Sequence, residues 1–195
     1  MNAPNVVTTV RTVAAVVLAV LAISQRSAWL AVAAYLTYWL GDMLDGAVAR
    51  ALDRETRFGA VFDIACDRLN CALCIVPLLM FRPQMAVPCA VFLVQFMVID
   101  LWLSLAFLRW PLLSPNYFAL VHRGVYRWNW SPPAKALNTS ALVLLVVFTP
   151  SPWPPTALAL AVTAIKLVSL RVVSRLPAGD LPRPAGEPLA EAARA

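Results

Sequence analysis

The chain has 195 residues, of which 61% are hydrophobic and only 13% charged, and its mean hydropathy of +0.73 lies well above that of a soluble domain of ordinary usage. That composition excludes a soluble globular enzyme and predicts an all-α integral membrane protein. The formal net charge of +6 comes without a basic stripe interleaved with stacking aromatics, which argues against nucleic acid as a partner and for a membrane surface.

Residues 6–24 form a first apolar helix, entered through Pro4, Asn5 and Thr8, with Asn5 or Thr8 as its cap. Arg11 breaks the apolar run early and no small-residue cleavage site follows it, so the segment reads as a retained helix rather than a signal peptide. One turn inside the helix, Arg11 either snorkels to the headgroups or meets a substrate phosphate. A polar turn at Ser24 to Ser27 leads to a second span over 28–52, and a third covers 58–81. After Arg82-Pro83-Gln84 a fourth span runs over 85–110, in which Pro88 is placed to kink the helix. Asp100 is a buried carboxylate there, able to neutralise Arg68, Arg109 or Lys166 or to reach a substrate pocket.

Residues 111–133, with Pro111, Pro115, Pro132 and Pro133 around HRGVYRWNW, are too polar and broken to span. They predict an interfacial segment, with Tyr126, Trp128 and Trp130 at headgroup level and Arg123 and Arg127 facing anionic groups. His122, the chain's one histidine, reads as a solvated surface residue, because nothing near it in sequence would tune its protonation. A fifth span covers 135–148, with Lys135, Asn138 and Thr139 in its first turns, and a sixth runs to 173. Cys66, Cys71, Cys74 and Cys89 all lie in apolar segments, as buried small hydrophobes rather than a redox motif. From Pro177 onward there is no apolar periodicity, so 177–195 reads as a disordered tail behind one domain over 1–176.

The expected architecture is therefore six transmembrane helices of roughly twenty residues each, with an interfacial segment between the fourth and fifth. Arg26 and Arg82 fall in loops on one side. Arg54, Arg57, Arg109, Arg123, Arg127, Lys135, Arg171 and Arg175 fall on the other, which the positive-inside rule makes cytoplasmic. The protein is accordingly expected in the cell membrane, multi-pass, with its site open to the cytoplasm.

That site is expected in GDMLDGAVARALDRETRFGAVFDIACDRLN, residues 41–70. Residues three and four apart on a helix share a face, so Asp42 pairs with Asp45 and Asp63 with Asp67 across a helical hairpin. Gly46 and Gly59 flank the charged turn between the pairs, where a missing side chain admits a ligand or a close helix. Four carboxylates in an apolar setting need counter-charge, and they exceed what Arg50, Arg57 and Arg68 neutralise. Hard oxygen ligands without histidine or cysteine favour magnesium or manganese, and two pairs suit two ions of the kind used in phosphoryl chemistry.

Asp42-x-x-Asp45-Gly46-x-x-Ala49-Arg50, then eight residues, then Gly59-x-x-x-Asp63-x-x-x-Asp67, resembles the complete signature of the CDP-alcohol phosphatidyltransferases. The resemblance implies displacement of CMP from CDP-diacylglycerol by the hydroxyl of a second alcohol. It implies metal binding by Asp42, Asp45, Asp63 and Asp67, with Asp67 also the base. It further implies that Gly46, Ala49, Arg50, Thr56 and Gly59 hold the cytidine and phosphates, together with Asn5 and Thr8, and that members pair as homodimers.

For the acceptor, Thr56-Arg57-Phe58-Gly59-Ala60-Val61 with Cys66-Asp67-Arg68 is similar to actinobacterial phosphatidylinositol-phosphate synthases. Pro4-Asn5 through Arg11 and Pro133-Ala134-Lys135 are similar to phosphatidylglycerophosphate synthases. Arg11, Arg123, Arg127 and Lys135 suit an anionic acceptor. Glycerol 3-phosphate is the first expectation, with an inositol phosphate or phosphatidylglycerol as alternatives. A cation transporter using intramembrane carboxylates is the reading from another class; it predicts carboxylates spread through several helices, whereas these cluster on one hairpin.

Overall fold

The computed structural model describes residues 3–181, and among them every regular element is helical. Three long helices come first: α1 (Ala3–Gln25), α2 (Ala28–Ala51) and α3 (Arg57–Phe81). α1 lies along both of the others. Its contact face is built from Ala15, Ala19 and Ala22, all buried, whose small side chains let the backbones approach in a setting without a hydrophobic driving force between helices. Gly41 serves the same end on α2, since a Cβ there would lie 2.6 Å from Cβ of Arg11. The helix starts are specified locally: Ser27 Oγ accepts from Leu30 N (3.4 Å) and Thr56 Oγ1 accepts from Gly59 N (3.0 Å). Because α1 already begins at Ala3, Asn5 and Thr8 sit inside the helix and not at its cap.

The fourth stretch, Pro83–Arg109, is a composite of α4 (Ala86–Val94), a π-helical turn at Gln95–Ile99, α5 (Asp100–Leu105) and a 3-10 turn. Pro88 falls in the first turn of α4, where its missing N–H has no intrahelical partner to lose. The irregularity expected at Pro88 is therefore found one turn and more later, at the π turn. A 3-10 segment over Pro115–Leu120 follows, then α6 (Arg123–Asn129), α7 (Pro132–Lys135), a second π turn at Ala136–Ala141 and α8 (Leu142–Phe148). The chain ends its described part with α9 (Trp153–Arg175).

Among the described residues, five helical stretches are long and apolar enough to cross a membrane: Pro4–Gln25, Arg57–Phe81, Pro83–Arg109, Arg123–Phe148 and Trp153–Arg175. α2 has 24 residues but is not among them; its two aspartates dilute an otherwise apolar sequence. The chain is thus a multi-pass membrane protein with five such stretches where the sequence predicts six. The expected interfacial segment also changes character, because Arg123–Asn129 belongs to the fourth of these stretches. Trp130 is buried inside the protein, at 7% exposure. Its ring centroid lies 4.9 Å from that of Phe118, which in turn meets Trp110 edge-on at 5.4 Å. His122 is not merely solvated either: its Nδ1 caps α6 by accepting from Val125 N (3.1 Å).

Two buried clusters hold the helices together, one around Phe107, Phe118, Trp130 and Val173, the other around Ile75, Met85, Cys89 and Val146. The first includes the end of α9, which Arg109 fastens by donating to the Val173 carbonyl (2.8 Å) and the Leu176 carbonyl (2.6 Å). Trp110 Nε1 donates to the Pro177 carbonyl (3.1 Å) and Gly179 N to the Arg109 carbonyl (3.1 Å). The first residues of the expected tail are therefore tied to the bundle; 182–195 lie outside the described residues.

Candidate active site

The two halves of the motif meet where α2 ends and α3 begins, because the turn over 52–56 returns the chain antiparallel. Asp53 takes a positive φ of 50° there, a left-handed conformation that aspartate tolerates better than most residues. One ligand oxygen from each of Asp42, Asp63 and Asp67 lies within 4.8 Å of the others. Asp45 is set behind them, with only 4% of its surface exposed.

The cation among these carboxylates is Arg11, from α1. Its Nε donates to Asp45 Oδ2 (2.6 Å), and its Nη2 donates to Asp42 Oδ1 (3.4 Å), to Asp67 Oδ1 (3.1 Å) and to Asp63. Thr8 Oγ1 donates to the same Asp45 oxygen (2.8 Å). Gly41 makes the arrangement possible, since Arg11 passes over the position its side chain would occupy. None of Arg50, Arg57 and Arg68 pairs with these aspartates. Arg57 donates instead to the carbonyls of Leu108 (2.8 Å) and Trp110 (3.1 Å), which ties the start of α3 to the end of the fourth stretch.

The carboxylates open onto one cavity of about 1070 Å³. Asn5, Thr8, Gly46, Ala49, Arg50, Thr56 and Gly59 all line it. Two of them make room for others: a Cβ on Gly59 would lie 3.0 Å from Asn5 Oδ1, and one on Gly46 would lie 3.3 Å from the Arg50 guanidinium. Away from the charged end the wall turns apolar, with Val32, Leu36, Leu78, Phe92, Val143 and Phe148. Cys71, Cys74 and Cys89 also line this space; Cys71 and Cys74 are only half-buried, while Cys66 and Cys89 are buried as expected.

The residues expected to bind an acceptor separate. Lys135 lines the cavity, where its Nζ donates to Asn116 Oδ1 (2.9 Å). Arg11 is inside the carboxylate cluster and forms no part of the wall. Arg123 and Arg127 are exposed and away from the cavity, because α6 buries Val125 and Asn129 and so turns the arginines to its opposite face. Asn138 and Thr139, placed with Lys135 in the first turns of the fifth span, line the cavity as well, whereas Asn116, also in its wall, carries no pattern that spacing alone would reveal. At the rim, outside the spanning helices, the Tyr117 hydroxyl donates to Glu55, and that bond pushes the phenol above its ordinary value.

The donor set fits a divalent metal. Three carboxylates converge without histidine or thiolate among them, and among the described residues one guanidinium is the sole cation bonded to four acidic groups, which leaves negative charge for a hard cation to complete.

A motif of this kind, seated at the charged end of a helical membrane bundle, agrees with the comparison of the whole chain against known families. Residues 1–173 match the CDP-alcohol phosphatidyltransferase model, and the chain belongs to that family. It is 43% identical over 67 residues to a phosphatidylinositol phosphate synthase of Mycolicibacterium smegmatis, an alignment covering 34% of this chain and 30% of the relative. A phosphatidylinositol phosphate synthase of Mycobacterium marinum is 64% identical over 31 residues, covering 16% of this chain and 13% of that one. These matches span less than a third of either relative. No solved structure matches the chain.

Proposed function

We propose that the cavity transfers a phosphatidyl group from CDP-diacylglycerol to a hydroxyl of a phosphorylated polyol, releasing CMP. The observation that carries this is the joint placement of Asp42, Asp63 and Asp67 with all seven expected CDP-lipid residues on one cavity that turns apolar away from the charges. A polar end suits a nucleotide diphosphate and an apolar end suits acyl chains.

Magnesium or manganese, as two ions held by Asp42, Asp63 and Asp67 with Asp45 as fourth carboxylate, would supply charge neutralisation to the diphosphate. The protein's own residues do the rest. Asn5, Thr8, Arg50 and Thr56 offer polar groups to the cytidine and phosphates, and Gly46 and Gly59 keep the wall clear beside them. Asp67 takes the proton of the acceptor hydroxyl as its oxygen bonds to the lipid-side phosphorus and the bond to the CMP oxygen breaks. Lys135 offers a positive charge to the acceptor.

Among acceptors, inositol phosphate moves ahead of glycerol 3-phosphate, because both curated relatives are named phosphatidylinositol phosphate synthases. In this reading α2 is the sixth span of a single domain over 1–176, placed in the cell membrane with the carboxylates on the cytoplasmic side and paired with a second copy. Purified protein with CDP-diacylglycerol and magnesium is tested separately with inositol 1-phosphate, glycerol 3-phosphate, phosphatidylglycerol and serine, reading CMP release and lipid mass. One acceptor-dependent product is expected; CDP-diacylglycerol left intact with every acceptor would contradict the proposal.

A further inference from the structure

The 3-10 segment Pro115–Leu120 lies at the charged end of the cavity, and the transfer reading gives it no role. Ser114, Pro115 and Asn116 line the cavity there, as do Arg54, Glu55 and Thr56 of the turn between α2 and α3 and Lys135 of α7. Two neighbouring side chains of the segment reach these two other walls. The Tyr117 hydroxyl donates to Glu55 in the turn, and Asn116 Oδ1 accepts from Lys135 Nζ (2.9 Å). One short segment thus ties together two walls of the same opening.

Its anchor and its ties differ in strength. Phe118 is fully buried against Trp110 and Trp130, and its carbonyl accepts from Val121 N (3.1 Å) and His122 N (2.9 Å), which fastens this end to the start of α6. Both ties, by contrast, are exposed, and Tyr117 itself is 37% exposed. An exposed hydrogen bond contributes little net free energy, since water replaces it when it breaks. The 3-10 backbone is also bonded with poorer geometry than an α-helix. The segment is therefore free to swing about Phe118 without opening anything buried. Asn116 is moreover a neutral partner for the Lys135 ammonium, and a charged phosphate oxygen is a stronger one.

We propose that Pro115–Leu120 is a strap across the mouth of the cavity: closed, it keeps water from bound CDP-diacylglycerol, and an anionic acceptor releases it by taking Lys135 from Asn116. Water is the competitor that a transferase has to exclude. Its oxygen would bond to the lipid-side phosphorus as the bond to the CMP oxygen breaks and Asp67 takes one proton, giving phosphatidate and CMP. The exclusion of water rests on the transfer reading above; the opening and closing of the strap do not.

Tyr117→Phe combined with Asn116→Ala removes both ties and leaves Phe118 in place. Spin labels are carried on Leu52→Cys and Leu120→Cys, both exposed positions, in the full chain with its four native cysteines replaced by alanine. Pulsed electron paramagnetic resonance in detergent is expected to give one narrow distance distribution without acceptor. Inositol 1-phosphate or glycerol 3-phosphate should broaden it, and the double variant should be broad with no acceptor present. In turnover without acceptor, the double variant is expected to release CMP and phosphatidate about tenfold faster than wild type, the scale of two exposed hydrogen bonds.

A distribution that neither the acceptors nor the double variant changes overturns the strap. A broadened distribution in a variant that transfers normally and hydrolyses no faster overturns its role in excluding water. A strap that opens on loss of its ties, in a protein that releases no CMP with any acceptor, supports the moving segment and contradicts only the transfer reading.

Discussion

Around Arg11, four carboxylates share one guanidinium; around Asp100, two cations share one carboxylate. Both clusters are set among spanning helices and both border the same cavity. A buried ion pair that only holds a fold does best when it is balanced, since each uncompensated charge carries a desolvation penalty on the order of several kcal/mol. The acidic excess therefore marks where cations are to be brought in, as the divalent ions of the proposed function are, and each cluster can be perturbed separately.

The largest effect is expected on the acidic side. Asp67→Asn should lower CMP release by about 10²- to 10⁴-fold, the usual contribution of a positioned base, while CDP-diacylglycerol still binds; an active variant would leave the proton acceptor unassigned. Arg11→Met should destabilise the metal-free protein by about 3–5 kcal/mol, because it strips four carboxylates of their shared cation. Added magnesium should recover much of that loss, read as the unfolding midpoint with chelator and with magnesium. No magnesium-dependent recovery would mean that the carboxylates do not take up a divalent ion in its place.

Gly41→Ala probes the same cluster through packing. Its Cβ would lie 2.6 Å from the Arg11 Cβ and 2.7 Å from its Cδ, so the variant should cost about 1–3 kcal/mol as an overpacked contact. Smallest of all, Arg123→Ala and Arg127→Ala should each change stability by no more than about 0.5 kcal/mol and leave acceptor KM alone, because both side chains face away from the cavity. A clear rise in acceptor KM in either would restore them as binding residues and weaken the role given to Lys135.

The carboxylate geometry was legible because it is local: Asp42 and Asp45, and Asp63 and Asp67, share helix faces by spacing alone, and a short turn brings the faces together. The identity of their counter-ion was not, since Arg11 reaches them across 31 to 56 residues of sequence. In an apolar helix nothing local distinguishes an arginine that snorkels from one that turns inward. The Gly immediately before Asp42 was the available signal, as it opens the space that Arg11 crosses.

Asp100 was expected to find Arg68, Arg109 or Lys166, and it takes two of the three at once. Both partners come from other helices, 32 and 66 residues away in sequence. The broken polar segment around HRGVYRWNW predicted an interface, but Trp130 turns inward because Phe118 and Trp110 offer an aromatic face to pack on. Helix existence was thus readable from hydropathy, whereas the direction each charged or aromatic side chain takes was decided by partners far away in sequence.

The most direct measurement is binding of CDP-diacylglycerol to the purified protein in detergent, by calorimetry, with magnesium and with chelator, for wild type and for Asp42→Asn combined with Asp63→Asn. The account predicts binding by wild type that requires the divalent ion and is lost in the double variant. Binding indifferent both to magnesium and to the two carboxylates would contradict it.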